Sequence, residues 1–425
     1  MIKYSYIKLT GCLVAAALAP LCTSAQRINT EASVERLKSE SLQFSYSDNA
    51  SGIQLDQMDY YSQVGLGYDI EKGSFKRAQE GEHNTGYRFF TDGGGTMKAL
   101  KGAFIWGSFE YSRDQLRDAE YNASLIDPLR GTPFFIADTY KSKWINQLYD
   151  MTVKAAAPKL WDRLIFGIEA TYQNGQGAKQ HDPRPLVSLS KFEIKPGVTV
   201  TLGKHAIGAN YQYYSRREDG TASNKISMST NPVYIFNFPG FYVDASISSS
   251  TDDNQRIYNA NCMGVGGQYS FTTQKLRLLV SGKYTREIED VTNSYTTPKM
   301  VGTTRDERWS IGLNAVYKPS KENTFFLNAA YGDRSIDGIQ YVQEWDNSFE
   351  VAKWIIKSKS VRSNTSPQPS KSAHRSRTQT YPGSAPPKSQ PRHGGTVASA
   401  AAAGLYTPSG EPVPGDAEAG DVSCS

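Results

Sequence analysis

Beyond its first twenty-five residues the chain has no run of about 20 apolar residues, and its mean hydropathy is -0.52, which excludes a helical membrane protein. The net charge of +5 is small for 425 residues and the basic side chains are dispersed, so the basic stripe expected of a nucleic-acid-binding protein is missing. Cysteine is scarce. Cys12 and Cys22 lie in the N-terminal apolar stretch, and the remaining pair, Cys262 and Cys424, defines neither a disulfide framework nor a zinc spacing. Only His83, His181 and His205 precede the C-terminal tail. His83, within Glu80-Gly81-Glu82-His83-Asn84, is the one candidate for a hydrolase on a barrel wall, and a hydrophilic strand end explains it better. Gly264-Val265-Gly266-Gly267 lacks the spacing of a phosphate loop, and Thr251-Asp252-Asp253-Asn254 lacks the ligand alternation of a calcium loop. No catalytic, cofactor-binding or metal-binding residue is assigned, and the expectation is a protein that is not an enzyme.

Aromatic residues are abundant, at 12% with 26 Tyr. Between Arg305 and Ser335, Trp309, Ile311, Leu313, Ala315 and Tyr317 share one parity, and Ser310, Gly312 and Asn314 the other. After a polar turn, Phe325, Leu327, Ala329 and Tyr331 repeat the pattern. Period-two alternation means strands with one apolar and one polar face. Eight residues span roughly 26 Å of strand, enough, when tilted, to cover most of a ~25 Å apolar band between aromatic girdles.

The same pattern recurs from Tyr61 onward. Tyr149 to Ala155 pairs with Leu164 to Tyr172, Val198 to Leu202 with Ile207 to Tyr213, and Val265 to Phe271 with Leu276 to Tyr284. Short turns alternate with long polar connections, Ser112 to Asn146 and Ser215 to Asn261, as in outer-membrane barrels with short periplasmic turns and long extracellular loops. Asp92-Gly93-Gly94-Gly95 reads as a turn. The expected fold is all-β: a single antiparallel transmembrane β-barrel of about 12 strands as the chain stands, 14–16 in a complete barrel.

Residues 1–25 read as a cleaved signal peptide, with Lys3 and Lys8 ahead of the apolar core Gly11 to Cys22 and small residues Thr23-Ser24-Ala25 before Gln26. Residues 26–60 form a polar N-terminal segment, too small for the plug domain of an energy-coupled receptor. The barrel is expected over 61–362. Residues 363–425 read as a disordered or frameshifted tail, because nine of the 20 prolines lie beyond Asn364 and few aromatics remain.

Several motifs carry a family resemblance: Ser47-Asp48-Asn49-Ala50-Ser51-Gly52, Tyr61 to Tyr68, Gln79-Glu80-Gly81 with Gly86-Tyr87, Ile126-Asp127-Pro128-Leu129-Arg130-Gly131, and Asp182-Pro183-Arg184. Through them the chain resembles an uncharacterised family of Bacteroidetes outer-membrane β-barrel proteins over roughly Leu42 to Asn364. The resemblance implies location and fold, and further strands where this chain has its tail; it implies no catalytic residue.

On the polar parity, Lys154, Glu169, Arg277, Lys283 and Lys318 are expected to face the lumen, tuning ion preference in a water-filled barrel or pairing in a filled one. Tyr172, Tyr213, Tyr284, Trp309, Tyr317, Phe325 and Tyr331 are expected in the aromatic girdles. The function expected is passive passage or surface binding of small solutes; the alternatives are a structural or accessory membrane protein with a filled lumen and, last, a hydrolase. The expected partners are outer-membrane lipid and lipopolysaccharide, the barrel assembly machinery with periplasmic chaperones, and a small solute or glycan. No cofactor is expected.

Overall fold

The computed structural model describes residues 31–58, 60–73, 77–127, 130–138, 140–224, 233–237, 244–248, 254–294, 297–320, 323–348, 352–365 and 370–376. The signal-peptide assignment, residues 251–253 of the candidate calcium loop, Cys424 and the tail beyond Ser376 lie outside them.

Two short helices, α1 (Glu31–Glu40) and α2 (Leu42–Tyr46), and a 3-10 turn, Ala50–Leu55, precede the strands. The first long strands are β1 (Tyr61–Lys72), β2 (His83–Met97) and β3 (Ala103–Ala119). A short strand, β4 (Phe134–Asp138), lies in the connection to β5 (Ser142–Ala156). Then come β6 (Leu164–Lys179), β7 (Arg184–Leu202) and β8 (His205–Ser223). Two more short strands, β9 (Val233–Asn237) and β10 (Asp244–Ser248), lead to β11 (Asn254–Thr272) and β12 (Leu276–Asn293). The series closes with β13 (Lys299–Tyr317), β14 (Phe325–Asp346), β15 (Lys353–Thr365) and β16 (Ser370–Ser376).

The long strands form one antiparallel sheet in which each pairs with its sequence neighbour from β1 to β15, skipping only β4, β9 and β10, which make a small sheet of their own. β15 and β16 pair with successive stretches of β14, Ile336–Asp346 and Phe326–Gly332, and so act as one interrupted strand. That extends the sheet past the expected boundary at residue 362. Their polar sequences carry no apolar parity, so composition hides strands that hold by backbone pairing.

Two more sequence readings are corrected. The polar connections are shorter than expected, since β3 runs to Ala119, β5 starts at Ser142, β8 runs to Ser223 and β11 starts at Asn254. Above the lipid-facing band both strand faces are polar, and the period-two signal vanishes although the ladder continues. Asp92-Gly93-Gly94-Gly95 lies inside β2 and is no turn. The glycines there serve close packing: a Cβ on Gly94 would sit 2.2 Å from the Ile105 carbonyl oxygen, and one on Gly95 2.6 Å from the Tyr60 Cα. The chain turns later, at Lys98–Leu100, with Lys101 in the left-handed region.

The sheet's outer face is bare and apolar. Val64, Leu66, Ile207, Val265 and Ile311 are each more than half exposed, and side chains left open in a line around a sheet are what lipid contact requires. Register aligns their borders. Tyr68 stands opposite Tyr87, Tyr111 opposite Tyr149, Tyr172 opposite Phe192 and Tyr284 opposite Trp309, one aromatic line across the strands. Trp309 touches Tyr331 with ring centroids 5.2 Å apart. Tyr213 lies on the outward parity of β8, where its hydroxyl donates to Asn261. At the turn end Tyr317 stands opposite Phe325, and the rings stack at 6.3 Å. Above the first line outward positions turn charged, as in the Arg217–Asp219 and Arg286–Glu307 pairs. The fold is an antiparallel transmembrane β-barrel.

Leu313 lies midway between the two lines, four residues from Trp309 and four from Tyr317. Leu313→Lys is expected to cost about 2–4 kcal/mol, the cost of a cation at mid-bilayer depth, whereas Ser215→Lys, above the line, should stay within about 0.5 kcal/mol. Urea unfolding of the full chain in lipid vesicles reads both. Equal effects at the two positions would remove the lipid-facing assignment.

Candidate functional site

The lumen is filled from the turn end by the N-terminal segment, Glu31 to Met58. One short segment touching β2, β3, β5, β7, β8, β11, β12 and β14 is possible only because the sheet rolls around it. Phe44 sets its ring edge-on to Phe104 and Trp106, with centroids 6.4 and 5.1 Å away. The Tyr46 hydroxyl accepts from Asn328 on β14, and Lys38 reaches Asp92 on β2 at 2.7 Å. The segment is no plug domain, yet it fills this end of the lumen because the barrel wall supplies its partners.

Asn49 is a buried anchor. Its side-chain amide donates to the carbonyl oxygen of Val198 (3.1 Å) and to Gln268 Oε1 (3.1 Å), while its own oxygen accepts from the Ser51 hydroxyl (2.6 Å). Ser51 in turn meets the Thr199 hydroxyl at 2.7 Å. Three neighbouring strands carry glycine against this turn. A Cβ on Gly167 would lie 2.2 Å from Ser51 N, one on Gly197 2.1 Å from Asn49 Oδ1, and one on Gly208 2.7 Å from Asn49 Nδ2. The glycines form a notch cut to the shape of Asn49–Ser51.

Charges close the rest. Lys154 pairs with Glu169 (3.2 Å), Glu169 with Lys195 (2.9 Å), Lys195 with Asp48 (3.2 Å) and Asp48 with Lys283 (2.9 Å), a relay from β5 to β12 through the segment. Arg277 holds Asp56 at 2.6 Å and Lys318 holds Glu40 at 2.5 Å. All five residues expected in the lumen point there, and all five are paired. Burial penalises the Asp48 charge, but the ammoniums of Lys283 and Lys195 outweigh it and hold the carboxyl below its usual range. At Asp56 burial prevails. The carboxyl is pushed up to about 6 despite Arg277 and the Phe44 N–H, which donates to it at 2.8 Å.

From the opposite end the connection between β3 and β5 folds inward instead of lying on the surface. Glu218 accepts from the Ser124 hydroxyl (2.6 Å) and the Ile126 N–H (2.9 Å). Arg130 pairs with Glu289 at 3.3 Å and lies over the Tyr258 ring, 4.7 Å from its centroid. Arg334 donates to the Arg130 carbonyl oxygen and pairs with Asp306. Phe134 is fully buried with Tyr258 and Val291. β4 joins β9, so the two long connections cap this end together, around Ala123, Ile136, Ala222 and Val233.

Between the two inserted pieces lies a chamber of about 560 Å³, lined among others by Gln212, Tyr214, Cys262, Lys283, Glu287, Asp306, Arg308 and Arg334. A second space of about 330 Å³ adjoins it and shares Lys191. Cys262, the one free thiol among the described residues, is buried in the chamber wall. The histidines lie elsewhere: His83 begins β2, His181 stacks on Tyr140 and His205 packs on Tyr269 and Phe271. Gly264-Val265-Gly266-Gly267 sits within β11 and opens no helix. Among the described residues no group of His, Cys, Asp and Glu is placed to hold a metal ion. Asp48, Asn49, Asp56, Arg130, Lys195, Asp306 and Arg334 were not singled out as lumen contacts from sequence. Two of the resemblance motifs contain three of them, Asp48 and Asn49 in Ser47–Gly52 and Arg130 in Ile126–Gly131.

This architecture defines a class: a transmembrane β-barrel whose lumen is occupied from both ends by its own chain. The protein belongs to a family of unknown function, DUF6850, whose model matches residues 50–378. No curated protein matches its sequence. Among solved structures it is similar to the ferric yersiniabactin uptake receptor FyuA from Yersinia pestis, at 7% identity and a TM-score of 0.35 over 67% of this chain and 52% of that one. It is also similar to BauA, the ferric preacinetobactin receptor from Acinetobacter baumannii, at 9% identity and a TM-score of 0.31 over 70% and 53% of the two chains. The outer membrane protease OmpT from Escherichia coli gives 10% identity and a TM-score of 0.27 over 72% and 94%. The chain spans about half the length of the two receptors. At such scores the likeness assigns no activity to it.

Removing one partner of a buried ion pair typically costs about 3–5 kcal/mol, because the other charge is stranded. Arg277→Ala is therefore expected to cost about 3 kcal/mol near pH 8. The Asp56 carboxyl titrates near 6 in the folded protein and near 3.9 unfolded. Between those values the native state holds a proton that the unfolded state has released, so this group's contribution to stability falls as pH rises through the window and is level above it. Near pH 5 Asp56 is already neutral, and Arg277→Ala should cost clearly less. Urea midpoints of both proteins at the two pH values test this; an equal loss at each would reject the pairing.

Proposed function

We propose that the protein is a bacterial outer-membrane barrel, closed at rest by its N-terminal segment, that holds solute in its lumen or supports the membrane as an accessory protein and is not an open porin. The observation carrying this reading is the relay Lys154–Glu169–Lys195–Asp48–Lys283, which ties that segment across the lumen. Of the functions expected from sequence, it favours the filled lumen over passive passage. In this reading the protein is non-enzymatic. It reaches the outer membrane by export with signal cleavage, periplasmic chaperones and the barrel assembly machinery, and contacts lipid and lipopolysaccharide along the aromatic lines.

Planar-bilayer recording tests the closed state. The wild-type barrel, its folding checked by heat-modifiable gel mobility, is expected to pass no steady current. Asp48→Ala combined with Asp56→Ala, which removes three of the anchoring ion pairs, should produce stepwise openings. A steady porin-like current from the wild-type protein would overturn the reading.

A further inference from the structure

The chamber differs from an ion-selective vestibule in one respect: each of its cations holds a carboxylate before any ligand arrives. Of its four cations, Lys191 is paired with Glu193 at 2.8 Å and Lys283 with Asp48 at 2.9 Å, while Arg308 and Arg334 both hold Asp306. Glu287 receives the Tyr214 hydroxyl and pairs with Arg216 at 2.9 Å. A phosphate or carboxylate ligand needs cations that are free to turn to it. Here each would first have to leave the carboxylate it already holds.

Paired guanidiniums and carboxylates still have hydrogen-bonding capacity of both kinds, edge to edge. A hydroxyl group is the small ligand group that donates and accepts at once. The chamber wall also holds an unmet acceptor. Gln212 is buried and its amide nitrogen is engaged by Glu193, yet its Oε1 has no partner and it lines the chamber. In the adjoining space Asn146 Oδ1 and Arg216 Nε are likewise without partners, beside the apolar Leu148 and Leu189. Amides, paired charges and an aromatic ring, with apolar patches to receive C–H faces, make a wall for a polar ligand without net charge. The two spaces, about 560 and 330 Å³, fall within the range of small-molecule sites.

We propose that this chamber binds a neutral polyhydroxylated solute, a sugar of one or two rings, with the Gln212 amide turning its Oε1 to accept from one hydroxyl and the Asp306–Arg308 and Asp306–Arg334 pairs addressing others. The site needs only the chamber, so it stands or falls separately from whether the barrel conducts.

Ser310 gives the test its handle. It lies exposed on the chamber wall and makes none of these pairs. Ser310→Trp should obstruct the space and leave the barrel folded, as heat-modifiable mobility would verify. Full-length protein in detergent micelles is titrated calorimetrically with maltose, lactose and N-acetylglucosamine, with the anions glucose 6-phosphate and citrate, and with the cation glucosamine. The expected result is that at least one neutral sugar binds, with a Kd unchanged by a rise in salt, and that Ser310→Trp weakens it at least about tenfold; Gln212→Leu provides a second variant with the same expected direction. Three results would overturn the proposal: salt-sensitive binding of the charged compounds alone, no binding by any of the neutral sugars, or neutral-sugar binding that survives Ser310→Trp in a folded barrel.

Discussion

A barrel wall that alternates lipid-facing and inward-facing residues puts half of every strand into a confined polar space, and the charges there must be matched. This constraint organises the molecule. Taking a carboxylate or an ammonium out of water costs several kcal/mol unless a partner and hydrogen bonds replace the hydration. Here the partners are brought by two pieces of the same chain, one from each end. Asp48 stands between Lys195 and Lys283, and Arg130 stands among Glu289, Ser124 and the Tyr258 ring. The wall and its filling are therefore one electrostatic unit, and neither is stable in this form without the other.

The apolar half of the design was legible in the sequence. Trp309 to Tyr317 and Phe325 to Tyr331 declare their faces because lipid demands an unbroken apolar parity, and the same parity places Lys154, Glu169, Arg277, Lys283 and Lys318 inside. Where lipid ends, legibility ends too. Strands such as the upper halves of β8 and β11 are polar on both faces, so nothing in their sequence distinguishes ladder from loop. The Gly93–Gly95 run is a second instance. Glycine marks a turn or a close approach, and only the neighbours at Tyr60 and Ile105 decide which.

The filling was not legible for a different reason. Its contacts are singular rather than periodic. Asn49 meets Gln268 across 219 positions, and Lys318 meets Glu40 across 278. No local pattern announces such pairs, and the short amphipathic stretch around α1 looks like any solvated helix. Gly167, Gly197 and Gly208 on three successive strands share one depth only through strand register, and their meaning appears only once the Asn49–Ser51 turn is seated against them.

The position of that turn also sets an order of events. The N-terminal segment is the first part of the described chain to be made, yet its partners extend to Arg277, Lys318 and Asn328, near the other end. Contacts so distant in sequence form late, because the intervening chain must be ordered first. The segment must wait, unseated, until the strands from β1 to β14 stand in register behind it. Seating then reports that the wall is complete: a barrel with a slipped or missing strand would lack either the glycine notch or one end of the charge relay. An early part of the described chain is thereby the inspector of the later parts.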